Sequence, residues 1–221
     1  MKILALIPLR GGSKSIKDKN IIHIAGKPLC EWVLMSALKS KLIEQAYVST
    51  DSQQIKDVVS NIDSSIKIID RPDEYARDES TTESVMEHFQ TIINFDYLVT
   101  IQATSPLLEP KHLDEALSYF FDKKYDSLLS VVRTKRFFWD NGGKAINYNP
   151  QKRPRRQDYD GIFMENGAFY ITSKETLMKT GSRLGGSIGL YEMPIETGLE
   201  IDEPLDWEIV EQQLYKSSRF N

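Results

Sequence analysis

Near its start the sequence reads Lys2-Ile3-Leu4-Ala5-Leu6-Ile7-Pro8, followed by Leu9-Arg10-Gly11-Gly12-Ser13-Lys14-Ser15-Ile16-Lys17-Asp18-Lys19-Asn20. The apolar run is typical of a parallel strand covered on both faces. Four of the next twelve residues are cations, and adjacent glycines let the backbone approach a ligand closely. Successive N–H groups in such a loop can form an anion nest. We therefore expect a nucleoside triphosphate there, the alternative being a solvated basic loop.

The rest of the chain alternates between strand and helix patterns. Further strands are predicted at 45–49, 66–69, 97–102, 127–133, 169–172 and 189–193. Helices are predicted at 28–40, 110–121 and 204–215, with two more that Asp51 and Ser80 would cap. Repeated strand–helix units predict a doubly wound, mostly parallel α/β sheet, with its active site at the carboxyl ends of the strands.

Periodicity also predicts caps and buried helix faces. Glu83 would complete a capping box with Ser80. The expected inward-facing residues of the third and last helices are Val85, Phe89, Ile92 and Ile93, and Leu205, Ile209, Val210 and Leu214.

Length and composition fit one globular domain spanning residues 1–221. The net charge of −4 argues against a general nucleic-acid binder. Cys30 is the only cysteine, so an intrachain disulfide and a thiolate zinc cluster are excluded. The apolar run at 3–9 is too short for a signal segment or a membrane span, so we expect a cytoplasmic protein without membrane partners.

The segment 134–164 has no clear helical or strand period, and it contains four arginines and several aromatic residues. A long irregular segment inside a compact domain is usually functional or an interaction arm. His88 and His112 fall on predicted helices, where exposed positions account for them, and no Ser-His-Asp spacing occurs. The loop at 9–20 is neither a Walker A motif nor G-x-G-x-x-G, which disfavours a P-loop NTPase and a dinucleotide-dependent dehydrogenase.

The loop pattern R-x-x-S-K-x-x-x-x-K-N, from Arg10 to Asn20, resembles the signature of the acylneuraminate cytidylyltransferase family, the CMP-sialic acid synthetases. Five further resemblances follow in order: VSTD at 48–51, RPDE at 71–74 with Asp78, QATSPL at 102–107, ENGAFY at 165–170 and IDEPLD at 201–206. The combination of RPRRQD with ENG resembles the animal type. The Lys19-Asn20 ending differs from the loop of the related KDO enzymes.

The resemblance implies a Rossmann-like nucleotidyltransferase that joins CMP from CTP to the anomeric hydroxyl of an acidic nine-carbon sugar and releases pyrophosphate. The implied catalytic residues are Arg10, Lys14, Lys19 and Asp202. The implied nucleotide site comprises Leu9, Arg10, Gly11, Gly12, Ser13, Lys14, Lys19, Asn20, Arg71 and Thr82. The implied sugar site comprises Gln102, Arg155, Arg156, Glu165 and Asn166.

The family usually carries D-x-D where this chain has Glu200-Ile201-Asp202. The resemblance therefore implies that Asp202, and with it Glu200, binds Mg²⁺, which prefers carboxylate and phosphate oxygens. Alternation in an extended strand would place both carboxylates on one face. Read without the resemblance, the two acids are a solvated pair before a helix.

The resemblance also implies that 134–164 is a dimerisation arm, which would make the protein a homodimer or a tetramer. Animal relatives can carry a further C-terminal phosphatase-like domain, which we expect this chain to lack. Two alternatives stay open. The acceptor could be a related acidic sugar of the KDN, legionaminic, pseudaminic or KDO type, or the protein could sense nucleotides without catalysis.

Overall fold

A computed structural model describes residues 1–218 of the chain. Its strands are β1 (Ile3–Pro8), β2 (His23–Ile24), β3 (Lys27–Pro28), β4 (Gln45–Thr50), β5 (Lys67–Asp70), β6 (Tyr97–Ile101), β7 (Ser127–Thr134), β8 (Ile162–Ser173) and β9 (Ile188–Met193). Its α-helices are α1 (Leu29–Lys39), α2 (Gln53–Ile62), α3 (Thr82–Ile92), α4 (Pro110–Lys123), α5 (Lys174–Thr180) and α6 (Pro204–Ser218).

Seven strands form one sheet in the order β5-β4-β1-β6-β8-β7-β9. Neighbouring strands are parallel except that β8 runs antiparallel to both β6 and β7. The predicted doubly wound, mostly parallel α/β sheet is therefore confirmed. Strands β2 and β3 form a separate small hairpin.

Both faces of the central strand β1 are buried. Ile3, Ala5 and Ile7 pack with residues of α1, α2 and α4 on one face. Leu4 and Leu6 pack with residues of α3 and α5 on the other. Because no side chain in the body of this strand faces solvent, polar groups can serve a ligand only beyond its carboxyl end.

The antiparallel strand β8 is longer than the sequence indicates. It begins at Ile162, although only 169–172 was predicted, because residues 163–165 are exposed and lack an apolar alternation. The irregular segment is therefore shorter at both ends than predicted and runs over 135–161. Within it, Trp139 and Ala145 form an isolated antiparallel bridge.

Two predicted caps are wrong by one residue. The Ser52 hydroxyl, and not Asp51, accepts from the Ile55 N–H at the start of α2. Thr81 takes the same role at α3, where Ser80 was expected. The shift at α2 leaves the Asp51 carboxylate available for another backbone donor.

Several predicted orientations are also wrong. In α3 Ile92 is 51% exposed, and in α6 Leu205 and Ile209 are 65% and 41% exposed, whereas Val210 and Leu214 are buried as expected. His112, expected at an exposed position, is 3% exposed, and its Nδ1 accepts from the Glu109 N–H in a capping box. Burial lowers the pKa of His112.

Among residues 1–218, no helix combines the length and the apolar character that crossing a membrane requires.

Substitutions at two residues of α3 would test which face of the helix is buried. Phe89 is 1% exposed, and its ring centroid lies 5.2 Å from that of Tyr47 and 5.7 Å from that of Phe95. Phe89→Ala should lower the free energy of unfolding by about 3–5 kcal/mol, because it leaves a cavity. The matched change Ile92→Ala should alter it by less than about 0.5 kcal/mol. Urea denaturation measures both, and equal losses would contradict the orientation of α3.

Candidate active site

The basic loop lies at the carboxyl end of β1, as predicted, and is tied to the neighbouring strand β4. Leu9 is fully buried, and its N–H donates to the Ser49 carbonyl at 2.9 Å. The Gly11 N–H donates to the Asp51 carboxylate at 2.9 Å, and the Asn20 amide donates to the Arg10 carbonyl at 3.0 Å. These contacts fix the start of the loop beside the end of β4 and join its two ends.

The backbone of the loop depends on Gly12. Gly12 has φ +65°, a left-handed conformation that a side chain disfavours. Ser13 follows it half-buried.

Two of the loop cations share one carboxylate. The Arg10 guanidinium lies 2.8 Å from Asp78, and the Lys14 ammonium lies 2.6 Å from the other oxygen of the same group. Hydrogen bonds from Lys14 and Arg10 lower the pKa of Asp78. The loop therefore concentrates positive charge that an acidic side chain balances.

Lys19 connects the loop to the far end of the chain. Its ammonium donates to the Ile201 carbonyl at 2.9 Å and to the Asp202 carboxylate at 3.0 Å. Its side chain is only 11% exposed, whereas that of Asp202 is 66% exposed. The structure thus brings together the loop lysine and the carboxylate that the sequence singled out separately.

Arg71 lies beside the loop in a buried position. It is 6% exposed, and its guanidinium donates to the Ser49 hydroxyl at 3.2 Å and to the Ser49 carbonyl at 2.5 Å. Burial lowers the pKa of Arg71 to about 10, partly offset by the nearby Asp51 carboxylate. At neutral pH its positive charge is retained next to the loop.

A cleft of about 520 Å³ opens where the carboxyl end of β6 lies beside the middle of β8. It is lined by Thr82, Gln102, Thr104, Glu165, Gly167, Tyr170, Arg183, Glu200 and Asp202. The Gln102 N–H donates to the Ala168 carbonyl at 3.0 Å, and its side-chain amide donates to the Thr82 hydroxyl at 3.5 Å. Thr82 therefore lies with the expected sugar residues, while Arg71 lies with the phosphate loop.

Glu200 and Asp202 both line this cleft, but the segment between them is not a sheet strand. Ile201 is fully buried, and its N–H donates to the Thr104 carbonyl at 2.9 Å. Burial, together with the charge of Asp202, raises the pKa of Glu200. Among the side chains that the structure describes, no cluster of three or more His, Cys, Asp or Glu residues arranged to hold a metal ion occurs.

The Glu200 carboxylate packs against the backbone of Gly167. This glycine has φ +62°, and a Cβ atom there would overlap the carboxylate. Glycine at this position is thus required for the close approach of Glu200.

The two predicted sugar-site residues of the ENG motif, Glu165 and Asn166, lie in different surroundings. Glu165 lines the cleft and accepts from the Tyr170 hydroxyl. Asn166 is 1% exposed, and its amide donates to the Thr197 carbonyl and hydroxyl, both at 3.2 Å. Its side chain does not line the cleft, so a sugar contact stays a prediction.

Arg155 and Arg156 line a different cleft, formed within the irregular segment by Lys135, Arg136, Phe137, Arg153 and Pro154. The Arg155 guanidinium lies 2.6 Å from Asp158. The Arg153 guanidinium lies 4.7 Å above the Phe137 ring. The structure does not bring these arginines to the acidic cleft of their own chain.

Four cleft residues escaped the sequence analysis. Gly167 and Tyr170 stood in one quoted motif that could have identified them, and Thr104 stood in another. Arg183 belongs to no motif, and it reaches the cleft only because the chain turns back after α5.

Comparisons with known proteins identify the family and the fold of the chain. A model of the cytidylyltransferase family matches residues 4–211. N-acylneuraminate cytidylyltransferase A of Danio rerio is 40% identical, over 99% of this chain and 52% of that protein. N-acylneuraminate cytidylyltransferase of Oncorhynchus mykiss is 38% identical, over 99% and 51%. The chain thus spans about half the length of the curated relatives it matches.

A solved structure of CMP:2-keto-3-deoxy-manno-octonic acid synthetase complexed with CTP superposes with a TM-score of 0.74. It is 17% identical, and the superposition covers 98% of this chain and all of that one, which shows a shared fold. The resemblance drawn from the six motifs is confirmed by the family match and the named relatives: this chain belongs to the cytidylyltransferase family.

Proposed function

We propose that the chain is an N-acylneuraminate cytidylyltransferase, which transfers CMP from CTP to the anomeric hydroxyl of a sialic acid and releases pyrophosphate. The observation that carries the proposal is the contact between Lys19 and Asp202, because it joins the anion-binding loop to a cleft of sugar size. The names of the most similar relatives and the order of the six motifs support it.

In the proposed reaction, the anomeric oxygen forms a bond to the α-phosphorus and releases its proton to solvent. The bond from that phosphorus to the oxygen bridging to the β-phosphate breaks, and pyrophosphate leaves. Such a transfer depends on positioning and on neutralising charge more than on covalent help from the protein. A loop of cations beside a cleft of polar side chains is suited to both tasks.

The loop would bind the nucleotide. The backbone from Leu9 to Ser13 and the side chains of Arg10, Lys14 and Lys19 would hold the triphosphate and the departing pyrophosphate. Asn20 already fixes the loop through the Arg10 carbonyl. Arg71, held beside the loop by Ser49, would face the cytidine end.

Magnesium is proposed as the cofactor, held by Asp202 and Glu200. The fit rests on two carboxylates at one cleft, one of them with its pKa raised by burial and by the other, an arrangement that a cation stabilises. Mg²⁺ commonly uses one or two carboxylates together with substrate phosphates. When bound, it would neutralise charge on the triphosphate oxygens.

The sugar would occupy the cleft, where Gln102 can both donate to and accept from hydroxyls and Glu165 can accept. We further propose a cytoplasmic homodimer of a single domain, in which the arm at 134–164 reaches a second copy and presents Arg155 and Arg156 to it. Exposed apolar side chains on the arm support this, with Phe138 37%, Trp139 50% and Ile146 63% exposed.

A substrate panel tests the proposed function. With magnesium and CTP, pyrophosphate should be released when N-acetylneuraminate is added, and ATP, GTP or UTP should give far slower release. Faster turnover with a KDO-type or pseudaminic-type sugar would move the acceptor to that class. No release with any acidic sugar would contradict catalysis and favour a nucleotide sensor.

Lys19→Met should lower kcat by about 100-fold or more, because it removes a charge-assisted contact to the departing phosphates while keeping the apolar stem. Lys17→Met is the matched control, since Lys17 is an exposed cation of the same loop, and it should stay within about threefold of the parent. Steady-state pyrophosphate release measures both. Similar kinetics for the two variants would contradict the role of Lys19.

Gly167→Ala should displace the Glu200 carboxylate and lower kcat by roughly tenfold or more, with a raised magnesium requirement. Gly143→Ala is the matched control, because Gly143 also has a positive φ but nothing lies within 4 Å of its Cβ position. Both changes should cost about 1–2 kcal/mol of stability. Loss of turnover in both variants alike would contradict a specific effect on Glu200.

A further inference from the structure

The acidic cleft has one cation among its lining residues. Glu165, Glu200 and Asp202 contribute carboxylates, and Arg183 contributes the guanidinium. An acceptor that carries its own carboxylate would meet these acids, although Lys19 pairs with Asp202 and the proposed magnesium would be held by Asp202 and Glu200. Because like charges repel at close range, such an acceptor needs a positive partner inside the cleft.

Arg183 is held in place on three sides. Its carbonyl accepts from the Thr172 hydroxyl at 2.7 Å, which fixes the backbone to β8. Its Nε donates to Glu83 at 2.7 Å, and its guanidinium lies 4.6 Å from the centroid of the Tyr170 ring. These contacts fix the plane of the guanidinium before any ligand binds.

The contacts leave the outer edge of the guanidinium available. The Nε–H is used by Glu83, and one face lies over Tyr170. Among the residues whose side chains the structure describes, 1–216, Arg183 donates through Nε alone, and neither Nη1 nor Nη2 makes a hydrogen bond. The side chain is 27% exposed. An oriented pair of N–H donors at the wall of a cleft matches the two oxygens of a carboxylate.

We propose that Arg183 binds the carboxylate of the acceptor sugar through Nη1 and Nη2 and thereby makes the cleft selective for acidic acceptors. The proposal rests on the proposed function and assigns the carboxylate to a residue of the same chain as the cleft. Arg155 and Arg156 line a separate cleft, so they would act on a different part of the ligand or on another subunit.

Lysine would not replace Arg183 fully. It carries one compact ammonium on a flexible stem, so it cannot keep Glu83 and bind both carboxylate oxygens in a fixed plane. Tyr170 cannot take over the role either, because its hydroxyl already donates to Glu165.

The test compares an acidic sugar with its uncharged methyl ester as acceptors for the full chain, with CTP and magnesium. The parent enzyme should favour the acid in kcat/KM by about 100-fold, the value expected for hydrogen bonds to a charged group. Arg183→Met, which keeps the apolar contact with Tyr170, should lose that preference to within about threefold while KM for CTP changes by less than about twofold. Arg183→Lys should retain an intermediate preference.

Lys179→Met serves as the comparison, because it removes an exposed cation of α5 that does not line the cleft, and its preference for the acid should equal that of the parent. An unchanged preference in Arg183→Met, or an equal loss of preference in Lys179→Met, overturns the proposal while leaving the proposed function in place. No turnover by the parent enzyme overturns both. If Arg183→Met does not fold, Arg183→Lys decides: a preference equal to that of the parent contradicts the proposal.

Discussion

The burial of β1 on both faces is the constraint on which the rest of the structure depends. Since its side chains alternate between two apolar layers, the strand can offer ligands only the backbone and side chains that follow Pro8. The neighbouring strands β4 and β6 end at the same edge and deliver Asp51 and Gln102 there. Because both faces of β1 are buried, polar groups for a ligand follow the carboxyl ends of β1 and its two neighbours.

At that edge a single lysine links two parts of the chain that are far apart in sequence. Lys19 bonds both the backbone before Asp202 and its carboxylate, while Ile201 anchors the same segment in a buried cluster. The position of the acids is thus determined by packing as well as by charge. The placement of Glu200 depends in turn on a glycine in β8.

The sequence was sufficient to predict an element where a local pattern alone determined its structure. The apolar run of β1 predicted a buried strand, and the loop pattern predicted its place at the strand end. It was insufficient where tertiary contacts decided, as for Ser52, which caps α2 while Asp51 serves the loop. Exposed residues hid the first half of β8, and Arg183 reaches the cleft through a chain reversal that no motif marks.

The ion pairs of Asp78 with Arg10 and Lys14 affect how strongly the loop would bind different phosphates. Its carboxylate already satisfies Arg10 and Lys14, so any nucleotide must compete with an internal anion for the same two cations. A triphosphate would bring more negative charge to that competition than a phosphodiester with a single charge. Under the proposed function, the loop would therefore hold weakly charged ligands less firmly, which would favour departure of a sugar–CMP product after its pyrophosphate has gone.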